Sequence, residues 1–136
     1  MPSSSELATL TTMATHFLDA WNTQDVDEVL ACYTPDVEYR DPNTRGIVNG
    51  SEAMGRYLHK LFGAWQMHWQ LRDLYPLASP IADGAAVRWQ ATLRRPTGTT
   101  EVAVDGMDLV LLRDGLIAVN EVQFDRGALL PLLSDG

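Results

Sequence analysis

EVAVDGMDLVLLRDGLIAVNEVQFD, residues 101–125, holds two apolar, β-branched runs separated by Arg113-Asp114-Gly115. An Asp-Gly pair between two such runs is a strong short-range hairpin signal. In the first run Val102, Val104, Gly106, Asp108, Val110 and Leu112 fall on one face at period two. A carboxyl group therefore shares a face that is otherwise apolar. Burying it ionised and alone is costly, so it is expected to hold a proton or find a partner. A carboxyl perturbed in that way within a concave apolar site is a functional candidate. The plainer alternative is that the strand bends at Gly106 and turns Asp108 out to solvent or to a surface arginine. The strand alone leaves both open.

The chain has 136 residues, 46% hydrophobic and 21% charged, which fits one globular domain over 1–136 with a single core (roughly 7–130). A net charge of −8 argues against non-specific binding to nucleic acid or to an anionic membrane, but not against a neutral small molecule. Cys32 is the lone cysteine, so no intrachain disulfide can form, and its apolar helical setting suits a core residue. MPSSSELATL is no secretory signal, no stretch has the length of a membrane span, and a cytoplasmic setting is expected.

Towards the N-terminus a polar leader, residues 2–5, precedes apolar positions Leu7, Leu10, Ala14, Phe17, Leu18 and Trp21, one face of an amphipathic helix. Asn22-Thr23-Gln24 breaks it. Asp25 can cap a second helix carrying Val26, Val29, Leu30 and Tyr33, which Thr34-Pro35-Asp36 ends. Val37–Asp41 alternates as a short strand stopped by Pro42, with turn chemistry at Asn43-Thr44-Arg45-Gly46. Gly50-Ser51-Glu52 opens a third helix. Its stripe of Ala53, Met54, Tyr57, Leu58, Leu61, Phe62 and Trp65 is wide enough to require burial along most of its length. Two further strands follow, at Met67–Ala78 and Ala85–Arg95, and Pro96-Thr97-Gly98-Thr99 links the second to the opening hairpin. Ala128–Leu133 suits one helical turn over an open edge. The order predicts an α+β fold: three N-terminal helices on a strongly curved, mainly antiparallel sheet, a cystatin-like roll with a cone-shaped apolar pocket.

This order, with FLDAWNTQDVDEVLACYTPDVEYRDP early and MDLVLLRDGLIAVNEVQF late, resembles the nuclear transport factor 2-like superfamily. Within it the SnoaL-like polyketide cyclases and ketosteroid isomerases are most similar. The resemblance implies a cofactor-free pocket for a small apolar molecule, and a homodimer. One fold hosts many functions, so it speaks more to architecture than to reaction. Asp41, in its Asp-Pro step, matches the isomerase general base. Asp108 matches the second carboxylic acid, kept neutral to donate to an oxyanion, and the acid/base aspartate of the cyclases. Three departures stand against this. Phe17 occupies the position of the isomerase's oxyanion tyrosine and cannot donate a hydrogen bond. The histidines that assist the cyclases have no counterparts. Arg88-Trp89-Gln90 lacks the aspartate of the Arg-x-Asp motif in limonene epoxide hydrolases.

Two carboxyls in one apolar pocket suit proton transfer beside a carbonyl, one as ionised base and the other as neutral donor. Asp41, at a strand end within reach of water, is expected to be the base, and Asp108 the acid. Asp41-Pro42-Asn43 is also ordinary turn chemistry. Asn120 is polar among apolar residues of its own strand, so it can hold a ligand carbonyl or bond a neighbouring strand. Tyr57 offers a hydroxyl, while Phe17 and Trp89 offer apolar walls. His16, His59 and His68 show no metal spacing, and there is no phosphate loop, nucleophile elbow or CxxC pair. Two classes stay open: an isomerase- or cyclase-type enzyme, and a ligand-binding or assembly module. Leu109-Val110-Leu111-Leu112 is apolar on both parities and asks for cover on both sides, as a dimer would give.

Overall fold

The central hairpin runs as β5 (Val102–Arg113) and β6 (Leu116–Phe124). Its two-residue turn places Asp114 at φ 54° and Gly115 at φ 81°, the doubly left-handed geometry whose twist matches the strands. The computed structural model describes residues 3–78 and 83–133; Pro2 of the polar leader lies outside them. Before the hairpin come α1 (Ser4–Asn22), α2 (Val26–Leu30), β1 (Tyr33–Arg40), a short β2 (Val48–Asn49), α3 (Gly50–Ala64), β3 (Gln66–Pro76) and β4 (Asp83–Arg94). A 3-10 turn (Arg126–Leu129) and a short α4 (Leu130–Leu133) follow it, as the apolar tail suggests. The six strands form one curved mixed sheet in the order β2-β1-β6-β5-β4-β3, parallel only at β1–β6.

Helices α1 and α3 cover the concave face, and Phe17, Met54, Leu58, Val87 and Val110 pack between the layers. Ser3 caps α1 by accepting from Glu6 N–H, and Asp25 caps α2 through Asp27 and Glu28. The packed part of α1 begins at Ala14; Leu7 is exposed, because the first turns lie beyond the covered core. The α3 stripe is buried less than its sequence suggests. Only Met54 and Leu58 are buried, and the rest of the stripe is half-buried. Leu61 and Trp65 border a cavity instead of solid core.

Two departures concern local backbone. The second helix ends at Leu30, and Tyr33 starts β1 instead of closing α2. The Ile117 amide bonds Cys32 O at 2.9 Å and ties the chain into the sheet there. A wide register shift between Tyr33 and Glu38 lets Pro35 sit in the strand, since a bulge asks no ladder bond of it. In β3 a second bulge, at Arg72, reverses the parity, so Met67, Trp69 and Leu71 hand over to Leu74. The β3 edge is closed from α1. Trp69 N–H donates to Asn22 Oδ1 at 2.6 Å and Asn22 Nδ2 donates to Trp69 O at 2.9 Å. Gln24 repeats the pattern with Met67 N–H (2.7 Å) and Trp65 O (2.9 Å). Two side-chain amides thus occupy groups that an edge strand would otherwise expose.

Candidate active site

β5 turns Asp108 inward with 4% of its surface exposed, so the strand does not bend it out to solvent. Trp89 Nε1 on β4 donates to Asp108 Oδ1 at 2.9 Å. The sheet register sets Gly106 opposite Trp89, and a Cβ on Gly106 would stand 2.3 Å from the indole. The glycine is where the indole lies across the strand. Burial pushes the Asp108 carboxyl up to about 7; the Trp89 N–H and then the Asn120 amide pull the other way, and the Asp41 charge adds a push upward. Asp108 is therefore placed to gain and lose a proton near neutrality.

Behind it lies a relay that the sequence did not suggest. Asn120, fully buried on β6, pairs across from Val110, one step along the face from Asp108. Its Oδ1 accepts from the Tyr33 hydroxyl at 2.7 Å, and the Tyr33 oxygen accepts from Trp21 Nε1 at 3.2 Å. An indole N–H only donates, so the relay has one direction, Trp21 to Tyr33 to Asn120. That leaves Asn120 Nδ2 for the other side of the amide, where it is buried without a well-formed hydrogen bond. Burial, followed by the Asp108 charge, pushes the Tyr33 phenol well above its usual range, so it stays a donor. The signal in the sequence was Thr34-Pro35, which bars helix from Thr34.

Asp41 follows the end of β1. Its Oδ1 accepts from the Asn43 and Thr44 backbone N–H groups at 2.7 and 3.1 Å, which is the turn its sequence offers. Its Oδ2 accepts the hydroxyls of Tyr39, at 2.7 Å, and of Tyr57. Burial and the Asp41 charge hold both phenols well above their usual range, Tyr57 included, so both remain donors. Four donated bonds engage both carboxylate oxygens. Among the described residues no cation pairs with Asp41 or Asp108; the ion pairs are Arg40–Glu121, Arg56–Glu52, Arg88–Asp73 and Arg113–Asp36.

The two carboxyls border adjoining spaces. Asp41 lies on an outer cavity walled largely by Trp21, Tyr39, Trp65, Trp69, Trp89 and Phe124. Asp108 lies on a smaller, inner one, to which Phe17 also contributes. Trp21, Tyr39, Trp69 and Val122 are common walls. Of the other expected site residues, Trp89 borders the outer cavity. Tyr57 bonds Asp41 from α3, and Asn120 stands behind Asp108; neither borders either space. His16, His59 and His68 are exposed, and among the described residues no three metal-ligating side chains converge. Nor is any helix of the described residues long and apolar enough to cross a membrane.

The fold is shared with solved structures. A protein of ketosteroid isomerase-like fold from Catenulispora acidiphila, solved with trimethylamine, is 15% identical, with 88% of this chain and 90% of that one covered at TM-score 0.77. A candidate polyketide cyclase from Xanthomonas campestris pv. campestris is 18% identical, covering 95% and 99% at TM-score 0.76. TerC, co-crystallised with polyporic acid, is 19% identical, covering 92% and 98% at TM-score 0.77. At these identities the likeness is one of fold. No curated protein matches the sequence. The model of the SnoaL-like domain matches residues 14–120, most of the chain and all of β1 to β5; the protein belongs to the SnoaL-like family of the nuclear transport factor 2-like superfamily.

Proposed function

We propose that this protein is a cofactor-free acid–base catalyst of the isomerase or cyclase type, acting on a small apolar carbonyl compound. Asp108 is the acid and Asp41 the base. The observation that carries the reading is Asp108: a buried carboxyl raised to about 7, beside a cavity, with an indole N–H orienting it. Asp41 takes a proton from the carbon beside the carbonyl. The C–H electron pair becomes a C=C bond, the carbonyl π pair moves to oxygen, and the Asp108 O–H donates to that oxygen. Return of the proton to another carbon isomerises the compound; attack of the enolate carbon on a second carbonyl closes a ring. Asp41 must release one hydroxyl to act. Half-buried Tyr57 is the looser of its two tyrosines, since Tyr39 is fully buried. Proteins of this fold that hold trimethylamine and polyporic acid support a small-molecule pocket.

The test is deuterium uptake from D₂O beside the carbonyl in a panel of steroid, polyketide and terpenoid ketones, followed by NMR. A ketone that binds should exchange, and Asp41→Asn or Asp108→Asn should abolish the exchange. Binding without exchange would sink the catalytic reading and leave a ligand-binding module, the alternative favoured by the full engagement of Asp41's oxygens. We also read the outer sheet face as the contact of a homodimer. Tyr75, Ala86 and Leu109 line up there as one rung, with exposed Met107 one step away. A monomer mass by light scattering would count against it.

A further inference from the structure

We infer that the outer cavity receives a quaternary ammonium group. This rests on reading the cavity as a ligand site, and not on the reaction proposed for it. The first observation is the order of its rings. Tyr39 and Trp21 have centroids 6.0 Å apart at 24°, Trp21 and Trp69 5.3 Å at 71°. Trp69 and Trp89 follow at 6.4 Å and 84°, Trp89 and Phe124 at 6.4 Å and 57°. Tyr39 and Trp21 are nearly parallel, but the other three steps turn by 57° or more, so the rings wall the space on more than one side instead of forming a flat slot. The negative faces of such rings attract a cation, most strongly where water is excluded. Trp65, a further wall, already has the Arg95 guanidinium 3.9 Å from its ring centroid and is not counted among the cage faces.

The second observation is the charge. Among the described residues Asp41 is the one acidic group on the cavity wall, and no arginine, lysine or histidine borders the space. Its four hydrogen bonds come from neutral groups, so they satisfy its oxygens without cancelling its charge. The whole chain, at −8, adds to the same sign.

The third observation selects the kind of cation. A primary ammonium carries three N–H donors and needs free acceptors. Asp41 offers none while Asn43, Thr44, Tyr39 and Tyr57 hold both oxygens, so a primary ammonium would have to displace one of these donors first. A quaternary nitrogen presents only C–H groups. It gains from aromatic faces and a nearby negative charge and loses nothing for want of acceptors.

The experiment titrates tryptophan emission with choline, with its uncharged carbon isostere 3,3-dimethylbutan-1-ol, and with ethanolamine. Choline should saturate at least about tenfold more tightly than the alcohol, the scale of one desolvated cation–π contact, and ethanolamine should also bind more weakly than choline. Asp41→Asn should reduce choline's advantage over the alcohol, leaving the part that the rings supply. Trp69→Leu, which keeps the turn at Asp41 intact, should weaken choline more than the alcohol. Equal or tighter binding of the alcohol, or no saturation by choline, would overturn the inference. Neutral ketones that bind and exchange while choline does not would leave the proposed reaction standing without it. Choline binding with no ketone exchange would do the reverse.

Discussion

Asp108→Asn keeps the shape of the side chain and an oxygen for the Trp89 N–H, while removing the titration. In the unfolded chain this carboxyl titrates near 3.8, and in the folded chain at about 7. Between those values the folded protein holds a proton that the unfolded chain has lost. Stability must therefore fall as pH rises. The folded value is the raised one, so the contribution is fully present below the unfolded value and is lost as pH climbs through about 7. Integrating the two titrations from pH 5 to pH 8 gives a loss of roughly 2–3 kcal/mol from this one group. Urea unfolding followed by tryptophan emission, at half-unit steps over that range, reads it directly. Every other titrating group is common to both proteins, so the difference curve isolates Asp108. The stability of the D108N protein relative to the parent should rise by that amount between the two ends. Parallel curves would show that Asp108 is charged throughout, and the assignment of an acid there would fail.

Gly106→Ala brings a Cβ to 2.3 Å from the Trp89 indole, and unfolding should show a loss of ~1–3 kcal/mol, the cost of overpacking. Displacing the indole also weakens the N–H bond that favours the charged form of Asp108, so the pH at which stability falls should move upward. Tyr33→Phe leaves Asn120 Oδ1 and Trp21 Nε1 without their shared partner; a loss of about 2 kcal/mol is expected by the same unfolding assay, and no change would mean that the relay contributes nothing to stability.

How much of this was legible beforehand follows from the range of each interaction. The hairpin was readable because Asp114-Gly115 and its flanking alternation are local signals. Asp108 was readable as a carboxyl on an apolar parity running from Val102 to Val110, but the strand alone left open whether it faced inward, and its burial, with 4% exposed, decides it. Tyr33 was not readable, because it continues the helical spacing of Val26, Val29 and Leu30, and the bulge that pulls it into β1 depends on pairing with Ile117 far along the chain. The same holds for Asp41. Its turn is written in adjacent residues, but the Tyr57 hydroxyl arrives from α3, and only the folded chain brings it there. The resemblance to the superfamily supplied the role of Phe17, and the structure adds that a phenol is nevertheless buried nearby, on β1 instead of α1. The bulge at Arg72 had no local mark, since a shift of parity appears only against β4.

The amide clasp of Asn22 on Trp69 carries a consequence for selectivity. Asn22 is the residue after Trp21, and the peptide it grips is that of Trp69. The two rings that stand 5.3 Å apart are thus held by side-chain-to-backbone bonds next door as well as by their own edge-to-face packing. The opening between helix and sheet is a jaw set to a fixed tolerance. To widen it, the Asn22 side chain would have to give up both of its bonds to the Trp69 backbone. Asn22→Ala, a change at a residue that borders neither the outer nor the inner cavity, should therefore loosen the spacing of the walls.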